Sequence, residues 1–335
     1  MSVRKKSSNQ TIHFSRLGSL QPIISYFERQ GLPVQEYLRQ VGISDELMAN
    51  PEKPVPKSLH WKFVTTVCPY DDVDHIGLLV GSEASLEDLG EVGEFLLASD
   101  SVSEYLLKGA RYINTLSSGE YYWLVDEVDN CRFCISISGL QEDHATQNYI
   151  YTLLITINTI RKAVGDSWCP TELNVPAIKA VSAARLAEHF PNTKISRRGD
   201  YASILIPSAV LEKPLVKNSN PSALPQENLP QNFKSSVISI IEMLIFSSRP
   251  ELKKAVKISG LSSRTFQRNL EKMGVSYSQL VLETRMGLAR QWLDNGDMEI
   301  GDISKALGYK NSSNFSRAFL GLVGQSPRDY RNRKD

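Results

Sequence analysis

The sequence predicts a multidomain chain: an α+β domain at the N-terminal side, a linker, and an all-α C-terminal domain of two helix-turn-helix units joined by a long helix. Three observations predict it. Between Leu252 and Tyr330 the sequence repeats itself at an offset of 48–50 residues. Gly260 recurs as Gly308, Phe266-Gln267-Arg268 as Phe315-Ser316-Arg317, Leu270 as Phe319, Met273-Gly274 as Val323-Gly324, and Ser276 as Ser326. Upstream, Pro214, Pro221, Pro225 and Pro230 stand among polar residues, the composition of a tether. Charge divides at the same place: from Lys234 onward 17 Lys and Arg face 10 Asp and Glu, net +7, whereas the residues before it carry −6. A basic third on an acidic body is expected when one domain meets a polyanion, and chance clustering of surface charge is the alternative. The expected division is a loosely held tail over 1–18, the α+β domain over 19–212, the linker over 213–231 and the helical domain over 232–335.

Within the first domain, Ile23, Ile24 and Phe27, then Tyr37, Leu38 and Val41, mark the buried sides of short helices between Ser19 and Asn50, parted by Gly31-Leu32-Pro33. Pro51 to Pro56 reads as a rigid turn, and Ser58 to Thr66 as a helix. The stretch LGEVGEFLLASDSVSEYLLKGARYINTL is helical, its latter part capped by Ser101 or Ser103, with Tyr105, Leu106, Ala110 and Ile113 inward. Tyr121–Val128 and Arg132–Ser138 flank Asp129-Asn130-Cys131 as a hairpin. His144 to Val164 is a largely apolar helix suited to cover a sheet, although its β-branched residues make a strand a competitor for its middle. Strands at Glu172–Val175 and Ala202–Ile206 bracket a helix containing Arg185, Leu186 and His189.

The second domain resumes with a helix over Val237–Phe246. In the first repeat, Phe266 and Leu270 share one face of the second helix, while Arg264, Gln267 and Arg268 share the other. In the next, Phe315 and Phe319 face inward and Ser313, Ser316 and Arg317 outward. An apolar stripe is ordinary for any packed helix. An outward face of hydroxyls, Gln and Arg is less so, because Arg pairs with guanine and Gln with adenine along the major groove. Ser262 and Asn311 are natural N-caps, which would turn the positive helix ends toward phosphate. Between the repeats, Ser276 to Asn295 reads as one helix stopped at Asn295-Gly296. Some 20 residues give roughly 30 Å, near the ~34 Å between successive major grooves on one face of B-DNA.

The run GLSSRTFQRNLEKMGVSYSQLVLETRMGLARQWLDNGDMEIGDISKALGYKNSSNFSRAFLGLVGQSPRDYR resembles the double helix-turn-helix domain of AraC/XylS-type transcription regulators. Its specific part is Ile303, Leu307-Gly308-Tyr309, Ser313, Phe315-Ser316-Arg317, Phe319, Gly324, Ser326-Pro327 and Tyr330-Arg331. Val256 and Ser304 stand where that family carries a small alanine. DLGEVGEFLLASDSVSEYL is similar to the helical N-terminal effector domain of the family's non-cupin branch. The resemblance implies base contacts from Arg264, Gln267 and Arg268, then Ser312, Ser313, Ser316 and Arg317. It also implies a bacterial, cytoplasmic activator that works with RNA polymerase on double-stranded operator DNA under a small-molecule effector bound in the N-terminal domain, with homodimerisation open. Ser262, Lys272, Lys310, Asn311 and Arg328 are candidates for backbone contacts; Lys272, Lys310, Arg328 and Arg285 serve equally well as solvated charges.

Other chemistry is thin, so no enzyme and no cofactor is expected. Cys131 and Cys134 have the spacing of metal or redox sites, but no second Cys or His pair stands at a matching distance. A metal- or redox-sensing regulator using that pair, or an enzyme domain tethered to DNA, is the alternative function. Asp71-Asp72-Val73-Asp74-His75 lacks the Gly and distal Glu of a calcium loop and reads as a solvated turn. No Ser, Cys or carboxylate lies at motif spacing from His13, His60, His144 or His189. No run of ~18 apolar residues suggests a membrane span, and the N-terminus lacks the apolar core of a signal peptide.

Overall fold

The computed structural model describes residues 11–68, 73–215, 229–247, 249–296 and 298–333. They form two compact units, one of residues 13–41, 50–68, 73–215 and 229, the other of 11–12, 42–49, 230–247, 249–296 and 298–333.

In chain order the first elements are β1 (Phe14–Arg16), α1 (Gln21–Arg29), α2 (Val34–Val41), α3 (Asp45–Met48), β2 (Pro54–Pro56) and α4 (Lys57–Val67). Of the stretch expected as a tail, residues 1–10 lie outside the described residues, while Ile12 and Phe14 through Leu17 are buried. They are held because Phe14–Arg16 pairs antiparallel with Pro54–Pro56, so the stretch read as a rigid turn contains a short strand. Proline is tolerated there because a two-stranded ladder consists only of edges. Arg16 in turn pairs with Glu52 and donates from Nε to the Thr115 carbonyl at 2.7 Å. Gly42–Ala49, with α3 capped by Ser44, belongs by its contacts to the other unit, where Leu47 is buried and α3 meets the helix Phe233–Ser247.

Next come α5 (Ile76–Gly81), α6 (Gly90–Leu97) and α7 (Val102–Leu116), the last capped by Ser101, whose Oγ accepts from the Glu104 N–H at 3.2 Å. The hairpin is β3 (Glu120–Glu127) and β4 (Asn130–Ile137), turned at Asp129 with φ 64°. Then follow α8 (Glu142–Val164), β5 (Glu172–Asn174), α9 (Ala180–His189), β6 (Lys194–Ser196), β7 (Ala202–Pro207) and α10 (Ser208–Leu211). The strands make one five-stranded sheet in the order β3-β4-β7-β5-β6, antiparallel except for β5 against β6.

The long helix settles its own ambiguity by burial. Tyr149, Ile150, Leu153, Leu154, Ile155, Ile157 and Ile160 are all buried, so α8 is apolar on most of its circumference and packs against the sheet and against α5. Tertiary burial there outweighs the modest helix penalty of β-branched residues. Gly77 permits the approach of α5: a Cβ at that position would lie 2.2 Å from the Gln147 carbonyl oxygen. The α+β architecture is the expected one. The expected linker falls largely on residues 216–228, which lie outside the described residues.

The helical unit contains α11 (Phe233–Ser247), α12 (Leu252–Ser259), α13 (Ser263–Lys272), α14 (Tyr277–Asn295), α15 (Ile300–Ala306), α16 (Ser312–Val323) and α17 (Pro327–Asn332). The repeat is legible in its geometry. Gly260 and Gly308 turn the chain at φ 71° and 77° between the two helices of each copy. Gly274 and Gly324 end each copy at φ 65° and 81°, and Ser276 and Ser326 then cap the next helix. Only glycine takes such φ values without a steric penalty. The 19 residues of α14 span roughly 28 Å at 1.5 Å per residue, and this helix packs on α11, α15, α16 and α17.

Candidate nucleic-acid interface and effector cavity

The second helix of each repeat is fixed by its apolar side. Phe266 is fully buried, its ring 5.3 Å from Phe233 and 6.3 Å from Tyr277, and Leu270 lies one turn on. In the second copy Phe315 and Phe319 are fully buried, 5.7 Å apart, with Tyr309 and Tyr330 against them. Burying each such side chain contributes about 1.5–3 kcal/mol, enough to fix which face turns outward.

The opposite faces are open. Arg264, Gln267 and Arg268 are exposed on α13; Ser312, Ser313 and Arg317 are exposed on α16, while Ser316 is half-buried. Arg317 donates to the Asn314 side chain at 2.6 Å, which holds its guanidinium along the helix. The helix starts carry the expected caps: the Ser262 Oγ accepts from the Thr265 N–H at 3.2 Å and the Asn311 Oδ1 from the Asn314 N–H at 2.9 Å. Those oxygens are therefore committed to the backbone, which leaves the remaining free N–H groups of the first turn for an anion. Lys272, Lys310 and Arg328 are exposed. Arg285 is neither a solvated charge nor a free clamp: it is half-buried, with its guanidinium 5.2 Å from the centre of the Tyr309 ring. It ties α14 to the turn of the second copy. Ser304 is buried with its hydroxyl unpaired.

The other unit carries what spacing could not reveal, a partly open cavity of about 150 Å³. Eighteen of its thirty lining residues are aliphatic or aromatic, drawn from α1, α4–α8, the turn Leu86–Leu89 and the β3–β4 hairpin. One wall carries a buried ion pair, Lys57 Nζ to Glu120 Oε1 at 2.8 Å. The Glu120 carboxylate also accepts from Ser117 and Tyr122, both at 2.8 Å, and from Asn148 at 3.4 Å. Burial alone would raise the Glu120 pKa, but Lys57 and these donors bring it below its ordinary value. Burial, reinforced by Lys57, pushes His60 down to about 3 and His13 to about 4, so both are neutral imidazoles at neutral pH. His60 Nε2 and the Tyr151 hydroxyl are buried in this wall without a hydrogen-bond partner in the protein. Burial also raises the Tyr151 phenol above its usual range. Trp61, another lining residue, stacks on His144 at 4.4 Å.

Cys131 and Cys134 are both buried and unbonded in β4, and burial raises both thiols, Cys134 to about 11. Metal binding and thiol oxidation need a thiolate, which this environment disfavours. Asp71 and Asp72 lie outside the described residues; Asp74 pairs with Lys179 at 2.8 Å. Among the described residues no group of three or more His, Cys, Asp or Glu is placed to hold a metal, and no helix is long and apolar enough to cross a membrane.

Comparison with known proteins accounts for both units. A family model described as a helix-turn-helix domain matches residues 255–333, and one described as the arabinose-binding domain of AraC transcription regulator, N-terminal, matches 31–215. The chain is similar to the ornithine utilization regulator of Pseudomonas aeruginosa, 24% identical over 76% of this chain and 78% of that protein. It is also similar to the transcriptional regulator VqsM of the same species, 24% identical over 91% of this chain and 97% of that protein. The transcriptional activator NphR of Rhodococcus is 28% identical over 28% of each chain.

Proposed function

We propose that this chain, which belongs to the AraC-type family of DNA-binding transcription regulators, reads its operator through α13 and α16 and is controlled by a small molecule held in the cavity of its N-terminal unit. The observation that carries the DNA reading is the repeated division of the two helices: phenylalanines fully buried on one side, Arg264, Gln267, Arg268 and Arg317 exposed on the other. Arg and Gln on α13 supply base discrimination of about 1–3 kcal/mol for each good contact. The short serines of α16 reach less far, so Ser312, Ser313 and Ser316 accompany Arg317 in fitting backbone and groove shape. Lys272, Lys310 and Arg328 hold phosphate through their side chains, and the helix starts capped by Ser262 and Asn311 do so through their free N–H groups.

Control follows from linkage. A ligand shifts the chain toward its DNA-competent arrangement only by the difference in its affinity for the competent and incompetent states. Activation, with RNA polymerase as the partner in the cytoplasm, is the direction we assign, in line with an activator among the relatives; homodimerisation would double the contacts. The test uses an operator recovered by selection from random duplexes. Val80→Phe, at a fully buried lining position, places a ring into the cavity. It should shift operator affinity in the direction the effector does and remove the response to added effector. A variant with unchanged affinity and an unchanged response would refute control through the cavity.

A further inference from the structure

We infer that the ligand of this cavity is an uncharged amphiphile of about one ring, seated against apolar walls and hydrogen-bonded through a single polar head to His60 and Tyr151, rather than a sugar, an acid or an amine. The inference rests on the reading of the cavity as the effector site and narrows it to a chemical class.

Size sets the first limit. A cavity of about 150 Å³ matches the apolar cavities that accept benzene. Charge sets the second. Lys57 and Glu120 are the charged residues of the lining, and they already neutralise each other at 2.8 Å with each side chain only 6% exposed. An incoming carboxylate would have to compete with Glu120 for Lys57, and an incoming ammonium would find both Glu120 oxygens already accepting hydrogen bonds. His60 supplies no counter-charge, since burial keeps it neutral. A buried charge without a partner costs several kcal/mol.

Hydrogen-bonding capacity sets the third limit. Most polar groups of the lining are spent on the protein itself. The Ser15 and Ser19 hydroxyls bond each other at 2.8 Å, and the Thr156 hydroxyl donates to the Thr152 carbonyl at 2.8 Å. The Gln147 side chain donates to the Asp74 carbonyl at 2.6 Å and accepts from the Gly77 N–H at 3.0 Å. Among the fully buried side-chain atoms of the lining, His60 Nε2 and the Tyr151 hydroxyl are the ones without a partner in the protein. A pentose brings four or so hydroxyls to a largely apolar lining with two buried unpartnered groups, and each hydroxyl buried unpaired costs about 1–3 kcal/mol. One hydroxyl on an apolar ring matches what is open.

The test is a matched series on the full chain, followed by calorimetry and by thermal shift: benzyl alcohol, benzoate, benzylamine, ethylbenzene and L-arabinose. Benzyl alcohol should bind at least tenfold tighter than benzoate or benzylamine, and L-arabinose should leave the melting temperature unchanged. Tyr151→Phe should weaken benzyl alcohol about five- to tenfold while leaving ethylbenzene unchanged, a split that general damage to the fold would not produce. Tighter binding of benzoate, benzylamine or L-arabinose, lost in Val80→Phe, would overturn the class and keep the cavity as a binding site. Equal binding of benzyl alcohol and ethylbenzene would overturn the role of the polar pair. Benzyl alcohol binding that survives Val80→Phe would place the ligand outside the cavity and overturn both readings, and absence of binding across the series up to solubility would overturn the class.

Discussion

Glu120→Gln is the sharpest perturbation of the effector unit. The carboxylate is buried at the start of β3 and holds four donors, of which Lys57 is itself buried. Glutamine keeps the shape and one accepting oxygen but removes the charge, which leaves the Lys57 ammonium inside the protein without a counter-ion. Breaking a buried pair in this way costs about 3–5 kcal/mol. For a unit of this size each kcal/mol moves the midpoint by about 2–4 °C, so Tm should fall by about 6–20 °C. Urea denaturation followed by tryptophan fluorescence reads the right unit, because Trp61, Trp123 and Trp168 lie in it and Trp292 in the other. Adding Lys57→Met should recover part of the loss, since the stranded charge is then gone. A cost below about 1 kcal/mol for Glu120→Gln, or a double variant whose loss is the sum of the two single losses, would refute the ion-pair argument.

The same unit should lose stability in mild acid. His60 and His13 are neutral when folded, with pKa values of about 3 and about 4, but take up protons in the unfolded chain below 6.5. Their contribution is therefore full above pH 6.5 and falls as pH drops, by up to ~1.4 kcal/mol per pH unit for each histidine until its folded pKa is reached. Glu120 has a folded pKa below 4.5 and adds to the loss beneath that value. A urea midpoint flat between pH 6.5 and 4 would contradict the burial of both rings. Ser304→Ala should stabilise the helical unit by about 1 kcal/mol, because it removes a buried unpaired hydroxyl; guanidinium midpoints at constant slope would show it, and destabilisation would count against the packing described. Lys310→Ala should weaken all duplexes alike and lower the salt dependence of binding by about one phosphate contact, whereas Arg268→Ala should relax preference at one base step. Uniform loss in both variants would undo that assignment of roles.

The helical unit was legible in sequence because its information is local. Glycine turns, serine caps and phenylalanines at i,i+4 lie within a dozen residues of one another, and duplication wrote each signal twice. The hairpin and α8 were legible for the same reason, although the ends of α8 and its helical middle were decided by contacts on several sides. The cavity was not legible. Lys57 and Glu120 are 63 residues apart in sequence, and the lining comes from elements scattered between Ser15 and Thr156. His60 looked isolated because its significance is the absence of a partner in three dimensions, which no spacing records. Arg285 was likewise ambiguous until Tyr309 stood opposite it. The short strands β1 and β2 escaped because three residues of proline-containing sequence carry no periodicity.

The central claim is that two outward helix faces, one on each side of α14, read one operator. Hydroxyl-radical and methylation protection on a selected operator, with Arg268→Ala and Arg317→Ala alongside the unaltered chain, tests it most directly. The account predicts two protected major-groove patches about one duplex turn apart on the same face, one weakened by each substitution. A single protected patch, or two patches that respond identically to both substitutions, would contradict it.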